Sequence, residues 1–594
     1  MMSVTQPHTP FPDTAGTERQ AYLRRLRTEP GFLLRHVPTL SGAVLRRIRT
    51  RLYTKLSRTH QARKSEPPWL DNAVPSVASP DAWSAGPLTL PTYASGHPVW
   101  AGASAMVSRA KSNDPEDYLA VHRWSALINA LLEGSDDWQD QLAACVRWLD
   151  DHYDRSDPAW EPYSSCERVA NLLVFLAVMQ KSPRAPAIPP RLAVFLQDSL
   201  AWIRQHLEYY GPARTNNHII NNARAMVMAA VALRDARACA AGIQIMRQCL
   251  PRLIMEGGFL RERSSHYQVI VLNWLLDTWQ FLGAGEDAEG EARDFLVDYI
   301  RRMIAATAML CERGARLLAL IGDVSPDLTP AQSLARLHRL YPEFWPPREN
   351  PPAGAIRDGW FRMVSGQSIV LGNFPPGAFP TKFPTHGHGD LTSFAWLHDG
   401  AEILVDRGRY RYTADATSAF QRSAAGHNVP LVNGFAPLCE SLLAAGQWWP
   451  LPYAAARLEA SVNGAEMMLT HDGFARATPV ERHSRRLQLD LDMLTVLDSF
   501  DGEGDAELGF CWHFGDWLDR FDAQHLTVSG GDRSVVLKVE GVPGLPRSTF
   551  LGAREGAWVS RTYGERQPAP AVYLYWRVRL PVQISTRFCV GSVR

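Results

Sequence analysis

Three polar clusters in this 594-residue chain combine residue types that move protons or hold anions. The first runs from Arg214 to Asn222 and sets four asparagines around His218. Thr215 or Asn216 is placed to cap the apolar helix that follows (MVMAAVAL), which puts Asn217 and His218 in its first turn. Helix N-termini attract anions such as a carboxylate, and this cluster holds more polar groups than capping needs. The second cluster is Glu262 to Gln268, ERSSHYQ, leading into VIVLNWLLDTW. Ser265 and Gln268 match a capping box, so His266 and Tyr267 fall in a helix's first turn. Positive potential there is expected to lower the phenol's pKa and ease its use as an acid or base. The plainer alternative is a tyrosine packed at a helix mouth. The third cluster is THGHGD, residues 385–390, where glycines let the backbone bend and keep two imidazoles accessible.

A His-x-His pair is also a metal-ligand pattern, and Asp406 and His427 are residues that complete such a site with His388. The strand register opposes this. LHDGAEIL reads as a hairpin with Asp399-Gly400 at its tip, which sets Asp406 near Ser393. His388 then has the opposite parity and faces away, unless a bulge or an irregular Gly-His-Gly segment intervenes.

The elements that position these clusters change character along the chain. Residues 1–17 are rich in Pro and Thr and read as disordered. Residues 18–64 carry 13 Lys/Arg against Glu18 and Glu29, with apolar and basic residues at helical spacing. This is either a basic helix packed on the main domain or a contact for a membrane surface or polyanion. A Pro/Ser-rich linker follows, to about residue 84. From about 115 to 342 apolar residues recur at i, i+3, i+4 and i+7, predicting many sequential helices, an array or an α/α toroid. A Pro-rich break at 341–359 separates these from short alternating runs, which predict an antiparallel sandwich.

Composition is globular: 46% hydrophobic and 21% charged residues. Lys+Arg (62) balance Asp+Glu (61), so nothing draws the whole chain to nucleic acid and any anion site is local. Eight scattered cysteines without a CxxC pair read as buried thiols. No secretory leader or membrane-length apolar run is evident, which makes the cytoplasm the expected address and the periplasm the alternative if the start is misassigned. Nineteen tryptophans suit a glycan binder, although most are expected in the core.

The ordered set NNH (216–218), ERSSHYQ (262–268), HGHGD (386–390), VDRGRYRY (405–412) and QRSAAGHN (421–428), preceded by WEPYSSCERVAN (160–171), resembles heparinase II/III-like polysaccharide lyases over roughly residues 20–590. The resemblance implies a multidomain α+β fold: an N-terminal incomplete α/α toroid (85–345), then a C-terminal antiparallel β-sandwich (355–594). It implies β-elimination on a uronate-containing polymer, an acidic polysaccharide partner. Asn217, helped by His218, would neutralise the uronate carboxylate. His386 or Tyr267 would take the C5 proton, and Tyr267 would protonate the departing O4. Arg168, Asn216, His266, Arg407, Tyr410 and Arg422 are the expected substrate contacts, with Arg409 adding charge beside Arg407. Catalysis would need no cofactor, and a structural zinc would sit on His388, Asp406 and His427. The chain departs from the family in having Tyr267-Gln268 where Tyr-His is usual, and Asp406-Arg-Gly-Arg-Tyr410 in place of D-S-G-T-Y. Two alternatives remain: a non-catalytic glycan-binding or assembly protein, and a glycoside hydrolase using two of Glu262, Asp390 and Asp406.

Overall fold

The computed structural model describes Arg24, Pro67, Leu70, residues 88–91 and residues 114–592, less 153, 213–214, 284–289, 313–316, 346, 348–350, 375–385, 414, 439–457, 543, 545 and 553–556. The Pro/Thr-rich start, nearly all of the basic segment, Arg214, Thr385 and Cys439 lie outside the described residues.

Ten α-helices come first among the described residues: α1 (Pro115–Val121), α2 (Ser125–Glu133), α3 (Trp138–Asp151), α4 (Pro162–Met179), α5 (Pro190–Gln205), α6 (His218–Leu233), α7 (Ala236–Leu253), α8 (Ser265–Leu282), α9 (Gly290–Met309) and α10 (Pro330–Leu340). Proline occupies the first turn of α1, α4, α5 and α10, where its missing N–H costs nothing. Surface helices such as α3 bury a stripe. In contrast α4, α6 and α8 are buried on nearly every side. A helix that is apolar all round belongs in an interior, and α6 packs between α4 and α8 there. Their few charges pair with each other. Arg224 of α6 reaches Asp277 of α8 (2.7 Å) and Glu167 of α4 (2.9 Å), and Arg336 of α10 reaches the same Asp277 (2.6 Å). Removing one partner from such a buried knot would strand a charge and cost about 3–5 kcal/mol. No helix of the described residues is long and apolar enough to cross a membrane.

From Gly354 onward the chain is mainly antiparallel sheet. β1 (Gly354–Arg357), β2 (Trp360–Ser365), β3 (Ser368–Asn373), β4 (Ala395–His398) and β5 (Ala401–Leu404) form a five-stranded meander. A larger sheet is built on two long strands, β8 (Met493–His513) and β9 (Ala571–Ser592). It includes β6 (Glu466–His471) and β7 (Val480–Asp490) on one side of β8. The small sheet is a middle layer, because side chains alternate across a strand. Trp360, Ile369, Leu371 and Leu397 join the helical core, while Phe361, Met363, Val370 and Trp396 join a core shared with the large sheet. The expected hairpin forms: His398 pairs with Ala401, and Asp399 and Gly400 both take positive φ (50° and 71°). A bulge between Trp396 and Leu397 shifts the register by one residue, so the simple parity count fails beyond it.

Candidate active site

A cavity of about 150 Å³ is lined by Glu116 and Leu119 of α1, Arg123 just beyond it, Glu161 and Tyr163 at the start of α4, His218 at the start of α6 and Tyr267 in the first turn of α8. His386 and Tyr412 close it from the sheet region. Helix N-termini carry partial positive charge, so their convergence favours an anionic group.

Local capping differs from expectation in both helices that carry predicted residues. The N-cap of α6 is Asn217, with no side-chain cap bond, and half-buried Asn216 instead accepts the His218 amide (3.2 Å). The N-cap of α8 is Ser264, whose hydroxyl accepts the Tyr267 amide at 3.1 Å. Gln268 makes no capping box. It accepts from the Leu260 amide (2.7 Å) and donates to the Gly258 carbonyl (3.0 Å).

Tyr267 and His386 stack with ring centroids 3.6 Å apart and planes within 7°. The Tyr267 hydroxyl pairs with that of Tyr412 (2.7 Å). Burial pushes the Tyr267 phenol well up, outweighing the opposing hydrogen bond from Tyr412. The expected lowering by helix potential is thus overturned: desolvation of a phenolate dominates a partial charge. The proton stays on this oxygen at neutral pH.

Asp323, between α9 and α10, is the hub. One carboxylate oxygen meets His386 Nδ1 (3.1 Å) and Arg409 Nη1 (2.9 Å), and the other meets His388 Nε2 (2.8 Å). Burial alone would raise its pKa, but the Arg409 charge and the two imidazole bonds hold it well below the usual carboxylate range. With Nδ1 on a carboxylate, His386 Nε2 is buried 3.3 Å from Glu262 Oε2, at ion-pair distance without a hydrogen bond. Gly322 (φ 80°) precedes the hub, and a Cβ there would meet the carbonyls of Arg263 and His386 at 2.7 Å each. Only glycine admits that approach.

Asn217 stands just behind the cavity wall, 1% exposed, with its amide N–H and Nδ2 both donating to Glu262 at 2.8 Å. Its Oδ1 has no partner. His218 reaches the cavity and pairs with Glu208 (2.8 Å). Burial opposes its charge, but Glu208 prevails and the net shift is upward, toward a cationic imidazolium.

His388, Asp406 and His427 do converge, with ligand atoms all within 4.8 Å of one another. The irregular segment 386–392 lifts the parity objection. The donor set fits zinc chemistry. Each histidine has its outer nitrogen anchored, His388 Nε2 on Asp323 and His427 Nδ1 on the Ser423 carbonyl (2.7 Å), leaving the inner nitrogen toward Asp406.

Other expected contacts do not reach the cavity. Arg168 is fully buried, donating to the His122 and Ala159 carbonyls and lying 4.2 Å over Trp148. Arg407 is fully buried on His513 and the Trp558 carbonyl. His266 spends both nitrogens on Ser333 and the Ser325 amide, and burial drops its pKa to about 3. Tyr410 packs under Arg566, and Arg422 is half-buried with its Nε unpartnered. Asp323 and Tyr412 were not foreseen. Tyr412 lies in the VDRGRYRY stretch already singled out, and Asp323 has no local signal.

Residues 350–584 match the family described as heparinase II/III-like, C-terminal. The fold is similar to a heparan sulfate lyase of Pedobacter heparinus (16% identity, TM-score 0.52, 80% of this chain and 76% of that one). It is also similar to the heparinase III BT4657 product (15%, TM-score 0.55, 81% and 80%) and to a further heparinase III (12%, TM-score 0.60, 82% and 79%). No curated protein matches the chain significantly.

Proposed function

We propose that this protein is a polysaccharide lyase that cleaves a uronate-containing polysaccharide or oligosaccharide by β-elimination, on an incomplete α/α toroid joined to a β-sandwich. The observation that carries this reading is the parallel stack of Tyr267 on His386 inside a cavity edged by helix N-termini. Elimination needs a stabilised carboxylate, a base and an acid. His218, whose pKa is raised by its Glu208 partner against the effect of burial, sits beside Asn217 at the start of α6, and together they suit the uronate carboxylate. His386 fits the base: Asp323 holds Nδ1–H, which fixes the tautomer with a lone pair on Nε2. Tyr267 fits the acid, since its proton is held firmly until an alkoxide departs beside it. Tyr412 holds the Tyr267 hydroxyl in place, and Arg409 lies 4.1 Å over its ring. A zinc ion on His388, Asp406 and His427 would cross-link the seam structurally.

The hydrolase alternative loses all three of its candidate acids. Glu262 is spent on Asn217, and neither it nor Asp390 or Asp406 lines the cavity. The test is incubation with unsulfated and sulfated uronate polymers. Unsaturated uronate ends from at least one are expected. Saturated reducing ends, or binding without cleavage, would overturn the reading.

A further inference from the structure

The cavity is not the uniformly basic trough a densely sulfated chain would want. Each of the four helices that begin at it starts differently. On α1 and α4 the N-terminal potential is already met by the protein's own carboxylates. Glu116 is the second residue of α1, and Glu161 caps α4 by accepting the Tyr163 (2.9 Å) and Ser164 (2.5 Å) amides. On α6 and α8 the first turns present His218 and Tyr267 instead. The lining's single guanidinium, Arg123, is 3% exposed and offers nothing to a sulfate. It is wrapped by Asp327 (2.8 Å), Glu116 (2.8 Å) and Glu161 (3.9 Å). Glu116 and Glu161 keep 30% and 27% of their side-chain surface exposed. Among the described residues no donor reaches the second oxygen of Glu116. Across the cavity His386, 6% exposed, stacks on Tyr267, with its Nε2 buried 3.3 Å from Glu262 Oε2.

We infer that the cavity is electrostatically divided, and that the sugar seated against Glu116 and Glu161 bears a free amine rather than a sulfate. This rests on the lyase reading and names its substrate class: a polymer in which a uronate is linked to an unsulfated, unacetylated amino sugar. The uronate carboxylate faces the α6 and α8 side, and the ammonium faces the α1 and α4 side. A sulfate placed there would meet two carboxylates at close range, where like charges repel.

The experiment uses one uronate–hexosamine backbone in three forms: free amine, N-acetyl and N-sulfo. Binding of short oligosaccharides to the full chain carrying Tyr267→Phe is measured by calorimetry, and cleavage is measured with the unaltered protein. The free-amine form should bind about two- to fivefold tighter than the N-acetyl form, the range of one partly exposed ion pair, and the N-sulfo form should bind weakest. Glu116→Gln should bring the amine-to-acetyl ratio close to one while both still bind. An N-sulfo preference, or an unchanged ratio in Glu116→Gln, would overturn the inference. If the binding order holds and no form is cleaved, the divided cavity stands and the lyase reading falls.

Discussion

Two buried clusters in this protein are made of the same parts, and only one of them opens on a cavity. Inside the sheets, His483 joins His471 (2.9 Å) and Asp498 (2.7 Å), and Arg485 grips the same Asp498 through Nε (2.8 Å). At the seam, His388 joins His427 (3.1 Å) and Asp323 (2.8 Å), and Arg409 grips the same Asp323 (2.9 Å). In the interior cluster the remaining nitrogens are used as well. His471 Nδ1 accepts the Gly473 amide, and Arg485 reaches the Thr392 and Asn428 carbonyls. Phe500 stacks 4.6 Å from His483 and seals it. The seam leaves His386 Nε2 and Asn217 Oδ1 without hydrogen-bond partners, and the His386 ring lines the cavity. Histidine, aspartate and arginine in contact therefore do not mark a site. Unspent hydrogen-bonding capacity beside a void does.

The largest effect that could break this contrast is Tyr267→Phe. It should cut kcat by about 100- to 10,000-fold while the melting temperature stays close to that of the parent. Activity within a few-fold of the parent would remove the phenol from the chemistry. Next come two matched substitutions. Asp498→Asn should cost about 3–5 kcal/mol in denaturant unfolding, because it strands the Arg485 charge, and should leave kcat of the folded protein alone. Asp323→Asn should instead cost activity about 100-fold through misplaced His386, with kcat falling more than KM rises. Equal behaviour of the pair would erase the distinction. A smaller effect concerns metal. His427→Ala should abolish zinc measured by elemental analysis, whereas His471→Ala should leave it unchanged, although both disrupt a buried histidine pair.

The smallest effect is in pH. His218 faces Glu208, Glu161 and Glu262, and its folded pKa is raised. Its stabilisation is present below the unfolded value of 6.5 and fades as pH rises through the folded value. His471 faces His483, Arg476 and Arg485, and burial lowers its pKa well below 6.5. Its neutral form stabilises above 6.5, and this is lost as pH falls. His218→Gln and His471→Gln should therefore tilt the unfolding-versus-pH curve in opposite directions, and parallel tilts would contradict the electrostatic account.

The helices, the sheets and the 399–400 hairpin were legible because period and turn chemistry are local. So were Tyr267 and His386, which sit in dense polar motifs. Asp323 was illegible because its partners lie 63 to 86 residues away and only tertiary contact joins them. In VDRGRYRY the chemistry was right and the choice among neighbours was not: Arg409 meets Asp323 while Arg407 meets His513, and Tyr412 lines the cavity while Tyr410 does not. The phenol's pKa was misjudged in sign because a sequence reports a helix start but not how much water is excluded from it.

Gly322 threads between two carbonyls from different regions, and beside it the Asp323 amide donates to the His386 carbonyl at 3.0 Å. This works as a rivet. Swinging the helices away from the sheets like a jaw would shear these bonds and pull His386 off its carboxylate. Asp114, at the start of α1, is fastened to the sheet region as well, accepting the Thr413 amide (2.8 Å) and the Tyr563 hydroxyl (2.7 Å), so the two layers would part only by breaking both fastenings.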